Sequence, residues 1–314
     1  MKLAFVYVTD ERGFELARHS AMSLALSQRE PCDIHFFCYR FSPMPPPEFS
    51  AAMSRLRISL SFDSISDAAV ERHPTGGHVT TAALLKLPAI GKLVSQYDRV
   101  VYLDNDILVF DDLKIRDLDL GQAPIAAVID MDLSHTGWLR NSRWSAVGDE
   151  TDDLGGYFNS GFMIAEARNW RSEEFNGQYA AALDQHDRAC PYKIDCTSTD
   201  QCALNSVFEN RWLKLPASYN MQAGAKFTRW WKTAVVRHYC GPRKFIPISP
   251  LRNDSRDVRY LNEIRQAAGL SQTVLPAWYE ILFRFNVIRK YRGDAPIRRF
   301  LGAIEARSTT APLA

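Results

Sequence analysis

The 314-residue sequence has no apolar run that approaches the roughly 20 residues needed to span a bilayer as a helix. The apolar segment from Leu3 to Val8 is too short for a secretory signal and is followed at once by charged residues. The net charge is only +2, so no overall field points to nucleic acid as a partner. These absences predict a protein on the cytoplasmic side of the membrane that binds no nucleic acid.

The six cysteines contain no CxxC pair, so no motif for a redox dithiol or a zinc ribbon is present. Cys190, Cys196 and Cys202 follow one another at six-residue intervals. That spacing fits neither a zinc site nor one face of a helix, and we expect most of the cysteines to be buried apolar residues in a reducing compartment.

The composition is that of a globular protein, with 46% hydrophobic and 24% charged residues. Strand and helix patterns alternate over the first 130 residues, which predicts an α/β fold with a mostly parallel sheet and helices on both faces. We expect strands near 2–8, 34–39, 58–62, 100–109, 125–129, 158–164 and 234–236. We expect helices near 14–26, 49–56, 78–94, 166–183 and 199–208, with Thr199 as an N-cap, and a long loop or lid at 133–156.

The segment from Val100 to Val109 is the strongest indication of function. A β-branched and aromatic run stops at Asp104 and Asp106 and then resumes. Residues i and i+2 of a strand point to the same side, so the two carboxylates can converge on one hard cation. The alternative is a turn at the strand end with two solvated acids.

Other polar residues also follow predicted strands. Thr9 and Asp10 end the first strand, and Asp130 ends the strand at 125–129. Ligands of parallel α/β sheets bind outside the carboxyl ends of the strands. We therefore expect these residues to lie with Asp104 and Asp106 at one ligand site.

A second motif begins at Arg237 and runs to Lys244 with the sequence RHYCGPRK. His238 could complete a metal site with the two aspartates, and Gly241 would let the backbone approach a ligand closely. Lys244 could contact a phosphate as a point charge. Taken alone, the motif also fits a tight turn with a surface histidine.

Five segments in this order resemble glycosyltransferase family 8, above all the bacterial lipopolysaccharide galactosyl- and glucosyltransferases, and more distantly glycogenin. The resemblance covers about residues 1–250, and the pairing of a DxD with a downstream HYxGxxK is its most specific part. The segments are Val8-Thr9-Asp10, Asp104-Asn105-Asp106, Phe158-Asn159-Ser160-Gly161, Thr199-Asp200-Gln201 and the run from His238 to Lys244.

The resemblance implies a GT-A fold and a retaining transferase that moves galactose or glucose from a UDP-sugar to a saccharide acceptor. It further implies Mn²⁺ or Mg²⁺ as cofactor and a role in lipopolysaccharide or other cell-surface glycan synthesis. By position, the metal ligands would be Asp104, Asp106 and His238. The donor sugar would face Asn159, Asp200 and Gln201, which we predict as catalytic residues. The donor-binding residues would be Thr9, Asp10, Lys86, Asp104, Asn105, Asp130, Gly241 and Lys244, with Asp130 close to the acceptor.

The sequence departs from the family pattern at two positions. Leu84 stands where relatives often carry Arg, and Lys86 could supply the charge instead; Phe245 stands where Pro is usual. The loss of the Arg leaves open a sugar-nucleotide-binding protein without transferase activity. A DxD phosphatase of the haloacid dehalogenase type is disfavoured, because it needs Thr or Val where Leu108 stands.

We predict a catalytic domain at 1–250 and a helical, basic and aromatic extension at 251–314. From Arg284 to Arg307 there are seven basic residues and two acids, interleaved with apolar residues. Such a segment is typical of association with anionic membrane surfaces, here near a lipid-linked acceptor. The protein would then be peripheral on the inner face of the plasma membrane. The alternative is a helix packed on its own domain.

Overall fold

The computed structural model describes residues 1–76, 79–131, 157–190, 196–226, 228–241, 244–249, 253–276, 278–283, 285, 298 and 301–302. The predicted lid at 133–156 lies outside the described residues, and so does most of the basic segment 284–307. Among the residues that are described, no helix combines the length and the apolar character needed to cross a membrane.

Strands and helices alternate through the first half of the chain, as predicted. The strands are β1 (Leu3–Thr9), β2 (Asp33–Cys38), β3 (Ser59–Ser64), β4 (Arg99–Leu103), β5 (Ile107–Val109) and β6 (Ile125–Ile129). The helices are α1 (Phe14–Ser27), α2 (Pro47–Arg55), α3 (Ala68–Glu71), α4 (Thr81–Leu84) and α5 (Lys86–Leu93).

The described residues of the second half form four more strands and four more helices. The strands are β7 (Phe158–Glu166), β8 (Trp212–Lys214), β9 (Met221–Gln222) and β10 (Val236–His238). The helices are α6 (Ser172–Ala189), α7 (Thr199–Val207), α8 (Arg229–Thr233) and α9 (Ser255–Ala267).

The main sheet has seven strands in the order β3-β2-β1-β4-β7-β6-β8. Strands β1 to β4 pair in parallel, and β8 is parallel to β6, whereas β7 runs antiparallel to both β4 and β6. The predicted α/β fold with a mostly parallel sheet is confirmed. A second sheet of three strands, in the order β5-β10-β9, lies beyond the end of β4.

Both faces of the sheet are buried, which explains the unbroken apolar runs of the central strands. In β1, Phe5 and Tyr7 belong to one core cluster, together with Ala21 of α1. Val6 points to the opposite face and joins a second cluster with Ile90 of α5. The alternation of side chains along a strand thus divides β1 between two hydrophobic layers.

The predicted strand at 100–109 is two strands in different sheets. Strand β4 ends at Leu103, residues 104–106 form a turn, and β5 begins at Ile107 and pairs with β10. The acids therefore lie on a turn, and our reasoning from i and i+2 positions of one strand was wrong. On a turn both carboxylates lie outside the buried strand, where removing them from water would be costly.

The predicted helix at 78–94 is interrupted at Leu85, between α4 and α5. Pro88 has no N–H, so the carbonyl of Leu84 has no donor four residues later. The hydroxyl of Tyr179 donates to that carbonyl instead, at 3.1 Å. The side chain of α6 thus stabilises the break, and α5 starts at Lys86, with its side chain at the carboxyl end of the sheet.

Three further boundaries differ from the prediction. Strand β7 extends to Glu166, whose carboxylate pairs with the neighbouring Arg99 at 3.0 Å, so helix α6 starts only at Ser172. The strand expected at 234–236 is shifted by two residues and includes His238. Ser198 is the N-cap residue of α7, and Thr199 is the first helical residue.

Helix α9 is anchored to strand β10 by a buried ion pair. Arg237 of β10 is fully buried and binds Asp257, the third residue of α9, and Asp254, the N-cap residue. Buried charges need such partners. The domain boundary near Pro250 stays a prediction. The ion pair with Arg237 nevertheless ties α9 to β10, the strand that carries His238.

Candidate functional site

A cleft of about 1,070 Å³ opens at the carboxyl ends of β1 and β4. All the predicted site residues line this cleft except Thr9, which is fully buried behind it and donates its hydroxyl to the Asp10 carbonyl. The lining residues that the sequence predicted are Asp10, Lys86, Asp104, Asn105, Asp106, Asp130, Asn159, Asp200, Gln201, His238, Gly241 and Lys244.

Asp104, Asp106 and His238 lie together in the centre of the cleft. The Nε2 atom of His238 is 3.2 Å from Oδ1 of Asp106 and 3.6 Å from Oδ2 of Asp104. The pairing of β5 with β10 sets His238 opposite Ile107, one residue beyond Asp106. Ligand atoms of all three residues lie within 4.8 Å of one another, which is compatible with one shared divalent cation.

The orientation of His238 is set by a chain of amides. Asn159 Oδ1 accepts from the Gly161 N–H and from Nδ2 of Asn220, so the Oδ1 of Asn220 faces Nδ1 of His238 at 3.0 Å. In a neutral imidazole Nδ1 then carries the proton, and the Nε2 lone pair points at the two carboxylates. When the ring is protonated, Nε2–H donates to these carboxylates, and when it is neutral, the Nε2 lone pair is placed to bind a cation that the carboxylates also bind.

Lys244 contributes a positive charge to the same place. Its Nζ forms an ion pair with Oδ2 of Asp106. Burial alone would raise the pKa of Asp106, but Lys244 and His238 hold it well below its usual range, so the carboxylate is ionised at neutral pH. Nearby Gly241 has φ +84°, a backbone conformation that other L-residues rarely adopt.

Lys86 lies between two carboxylates from different parts of the chain. Its Nζ is 3.0 Å from Asp104 and 2.7 Å from Asp200, and it donates to the Ser160 hydroxyl at 3.1 Å. Burial alone would lower the pKa of Lys86, but Asp104 and Asp200 raise it above its ordinary value. Lys86 therefore stays charged and holds the turn after β4 next to the start of α7.

Gln201 joins the opposite wall of the cleft. Its Oε1 accepts from the Ser160 N–H at 3.1 Å, and its Nε2 donates to Oδ2 of Asp130 at 2.9 Å. Asp200 and Gln201 stand in the first turn of α7, where backbone N–H groups favour negative charge nearby. The predicted catalytic and acceptor-side residues are thus held in one hydrogen-bonded group.

The end of the cleft near β1 contains closely packed polar groups around Gly13. Asp10 accepts from the Gly13 N–H at 2.8 Å, and a Cβ on Gly13 would lie 2.7 Å from the Asn105 amide. The Oδ1 atom of Asn105 is buried and has no hydrogen-bond partner within the described part of the chain. Such an atom is costly to leave unpaired, which favours a ligand group that donates to it.

Three contributors to the site were not predicted from the sequence. Asn220 orients His238, Ser160 bonds both Lys86 and Asp200, and the Tyr102 hydroxyl donates to Asp104 at 2.7 Å. Ser160 stands inside the segment Phe158-Asn159-Ser160-Gly161, so the motif around it could have indicated its place in the site. Asn220 lies in no motif, and no pattern in the sequence signals its role.

The arrangement combines a hard-cation ligand set with two lysines and a cleft large enough for a nucleotide with a sugar. The carboxylates and imidazole would hold a divalent ion, and Lys244 could neutralise negative charge beside it. Asp200, Gln201 and Asn159 line the same cavity at short range. This set of groups suits the departure of an anionic diphosphate from a bound sugar.

Comparison with known proteins gives a family match. The model of the family described as Glycosyl transferase family 8 matches residues 6–245. General stress protein A of Bacillus subtilis (strain 168) is 27% identical over 168 residues, which are 52% of this chain and 54% of that protein. A probable glycosyl transferase, Gly, of Streptococcus gordonii is 34% identical over 125 residues, which are 39% of this chain and 15% of that protein. The matches thus span about half or less of these curated relatives.

A solved structure shares the fold over almost the whole chain. The galactosyltransferase LgtC, in complex with donor and acceptor sugar analogs, superposes with a TM-score of 0.64 at 20% identity. The superposition covers 90% of this chain and 100% of that chain. The likeness confirms the expected GT-A type fold.

Gly161 offers a test of the metal ligand set. A Cβ at this position would lie 2.2 Å from Cε1 of His238 and 2.9 Å from Oδ2 of Asp104. We expect Gly161→Ala to displace the imidazole and to weaken Mn²⁺ binding roughly 10–100-fold. Titration of free Mn²⁺ followed by electron paramagnetic resonance measures the affinity.

Gly177→Ala is the matched control, because a Cβ there meets nothing within 4 Å in helix α6. This variant should bind Mn²⁺ as the wild type does and should be slightly more stable, since Ala favours helix over Gly. Unchanged Mn²⁺ affinity in a folded Gly161→Ala protein would contradict the assigned ligand set.

Proposed function

Because the chain belongs to glycosyl transferase family 8, we propose that it is a metal-dependent hexosyltransferase that uses a UDP-sugar donor. The donor would carry galactose or glucose, and the acceptor would be a saccharide of lipopolysaccharide or another cell-surface glycan. The observation that carries the proposal is the convergence of Asp104, Asp106 and the Nε2 atom of His238 in one cleft beside Lys244.

The metal and the diphosphate would share this centre. Asp104, Asp106 and His238 would hold Mn²⁺ or Mg²⁺, which stabilises the charge of the departing UDP. Lys244 is 28% exposed and can leave Asp106 for a phosphate oxygen as the diphosphate binds. Asp10, Asn105 and Gly241 line the parts of the cleft where we place the nucleoside and the phosphate groups.

We propose that the transferred sugar keeps its anomeric configuration, as the family resemblance implies. Its transition state has oxocarbenium character, so a nearby carboxylate or amide oxygen stabilises the developing positive charge. Asp200 and Gln201 are both hydrogen-bonded to Ser160, which holds them on one side of the cleft. From there they would stabilise that positive charge. Asn159 acts as a positioning residue through Asn220 and His238.

A sugar-nucleotide-binding protein without transferase activity was the alternative suggested by Leu84. The structure weakens the reason for it, because Leu84 is fully buried and Lys86 supplies a cation between Asp104 and Asp200. The alternative remains a possible outcome of the donor experiment, where it would appear as binding without turnover.

The first prediction for this function concerns Asp106. Wild type should hydrolyse or transfer from UDP-galactose or UDP-glucose only with Mn²⁺ or Mg²⁺. Asp106→Asn should lower turnover by roughly 100-fold or more, because it removes an anionic metal ligand beside the leaving diphosphate. Calorimetric titration with UDP and Mn²⁺ should show the loss of most metal-dependent binding.

Asp119→Asn is the control for that loss, since the Asp119 side chain is 88% exposed and is remote from the cleft lining. It should behave as the wild type in both assays. If Asp106→Asn binds UDP with Mn²⁺ as tightly as the wild type, the metal assignment is wrong. Wild type that binds the donor but never turns it over supports the alternative function.

A second prediction concerns the sugar. NMR of the product should show the α configuration of the donor. Asp200→Asn and Gln201→Ala should lower kcat roughly 100-fold while changing donor affinity only a few-fold, because their contacts strengthen in the transition state. A β-linked product would exclude the retaining mechanism, and equal losses of affinity and kcat would make both residues ordinary binding groups.

We further propose that the basic segment from Arg284 to Arg307 brings the enzyme to an anionic membrane surface and a lipid-linked acceptor on the cytoplasmic side. Each basic residue near such a surface contributes about 1 kcal/mol at most, and salt screens the attraction. Reversing the charges of Arg289, Lys290 and Arg292 to Glu should abolish sedimentation with phosphatidylserine vesicles at low salt and leave donor hydrolysis intact.

The control triple variant reverses Lys92, Lys214 and Lys232, which are exposed in the described body of the protein. It changes net charge by the same amount and should still sediment with the vesicles. Equal loss in both triple variants would reduce the effect to overall charge. If the wild type stays in the supernatant, the segment does not bind the membrane, and the alternative of a helix packed on its own domain is favoured.

A further inference from the structure

A second cluster of ligand-type side chains lies outside the cleft. His186 and Cys190 stand one turn apart at the end of α6, and Cys196 precedes α7. All three are at most 3% exposed, and one ligand atom of each lies within 4.8 Å of the others. The sequence spacing gives no sign of this cluster, because its members come from the ends of two helices that pack against each other.

Cys202 adds a third sulfur, and a fourth ligand-type side chain, to the cluster. The Cys196 sulfur lies against the side chains of Cys202 and His186 and accepts a hydrogen bond from the backbone N–H of Ser198. Cys202 is in the first turn of α7 and is 1% exposed. A backbone N–H donated to a cysteine sulfur stabilises negative charge on it, as the outer contacts of a metal site do.

The imidazole of His186 points to the same conclusion. It is 3% exposed, and its Nε2 atom has no hydrogen-bond partner among the residues that the structure describes. Buried polar atoms are nearly always paired, so an unpartnered nitrogen on a ring whose side chain also contacts the Cys196 sulfur favours a ligand. A metal ion would accept the lone pair of that nitrogen.

The separations of the ligand atoms can be compared with those around a tetrahedral zinc ion. Zinc binds sulfur at about 2.3 Å and imidazole nitrogen at about 2.0–2.1 Å, which places tetrahedral ligand atoms about 3.5–3.8 Å apart. The ligand atoms of His186, Cys190 and Cys196 lie within 4.8 Å of one another, so a movement of about 1 Å at most brings them to that spacing. Rotation of side chains that already face one another can supply a movement of this size.

We propose that His186, Cys190, Cys196 and Cys202 hold one zinc ion in a closed structural site. Thiolate and imidazole ligands select zinc, whereas the carboxylates of the cleft suit a hard cation such as Mn²⁺. The four ligands leave no open position for water or substrate, so the site is not catalytic. The inference is independent of the proposed glycosyl transfer.

The ion would join the end of α6 to the start of α7. Asp200 and Gln201 lie between Cys196 and Cys202 in the sequence, and their helix carries one of the four ligands, Cys202. Ser198, whose carbonyl accepts from the Cys202 N–H at 2.8 Å, lines the cleft. The zinc would therefore fix the helix start that presents Asp200 and Gln201 to the sugar.

The test is metal content of the whole chain, purified under reducing conditions with its affinity tag removed. Mass spectrometry of dissolved metal should find about one zinc per chain in the wild type. Cys196→Ser should reduce the zinc to background. Cys32→Ser removes a buried thiol at the start of β2, far along the chain from the cluster, and should retain the full amount.

Asp106→Asn separates the two metal sites, because it should lose metal-dependent UDP binding and keep its zinc. If Cys196→Ser does not fold, cobalt substitution of the wild type gives the answer. Bound Co²⁺ should show thiolate-to-cobalt charge transfer and the intense visible bands of tetrahedral coordination. A chelator should then remove the ion and expose the cluster thiols to a thiol reagent.

Three results would overturn the proposal. The first is a reduced wild type that holds neither zinc nor cobalt in stoichiometric amount, and the second is a Cys196→Ser variant that keeps as much zinc as Cys32→Ser. Zinc lost from Asp106→Asn alone would place the ion in the cleft and not in the cluster.

Discussion

The compensation of buried carboxylates is the constraint on which the site depends. Asp104, Asp106 and Asp200 face one cleft, and carboxylates withdrawn from water need cations close by. Lys86 bonds Asp104 and Asp200, and Lys244 bonds Asp106. These pairs link four segments that are far apart in the sequence, so the charges that make the cleft reactive also hold its walls together.

The topology of the sheet explains how those segments meet. Strand β7 runs antiparallel between β4 and β6, so its first residues, which include Asn159, arrive where β4 ends. The small second sheet adds His238 through the pairing of β5 with β10. The backbone of β7 passes close to His238 at Gly161, and a larger residue there would occupy the space of the imidazole.

Much of the fold could be predicted, because buried strands and amphipathic helices have short-range patterns. The β1, β2 and β6 strands and helix α1 lie close to where the periodicity placed them. The errors arose where a tertiary contact overrode the local pattern. Helix 78–94 breaks at Leu85 because Pro88 lacks an N–H and Tyr179 bonds the freed carbonyl. Strand β7 runs on to Glu166 because Arg99 pairs with it across the sheet.

The sequence by itself determined the chemistry of the cleft, since Asp104, Asp106, His238 and Lys244 stand in motifs whose residue types and order are specific. Tertiary structure alone decided how that chemistry is held. Asn220 orients His238 without any motif, and the side chains of the cluster from His186 to Cys202 meet only because two helices fold back on each other. The spacing of residues along the chain predicts local helices and strands, whereas contacts between distant segments depend on the path of the backbone between them.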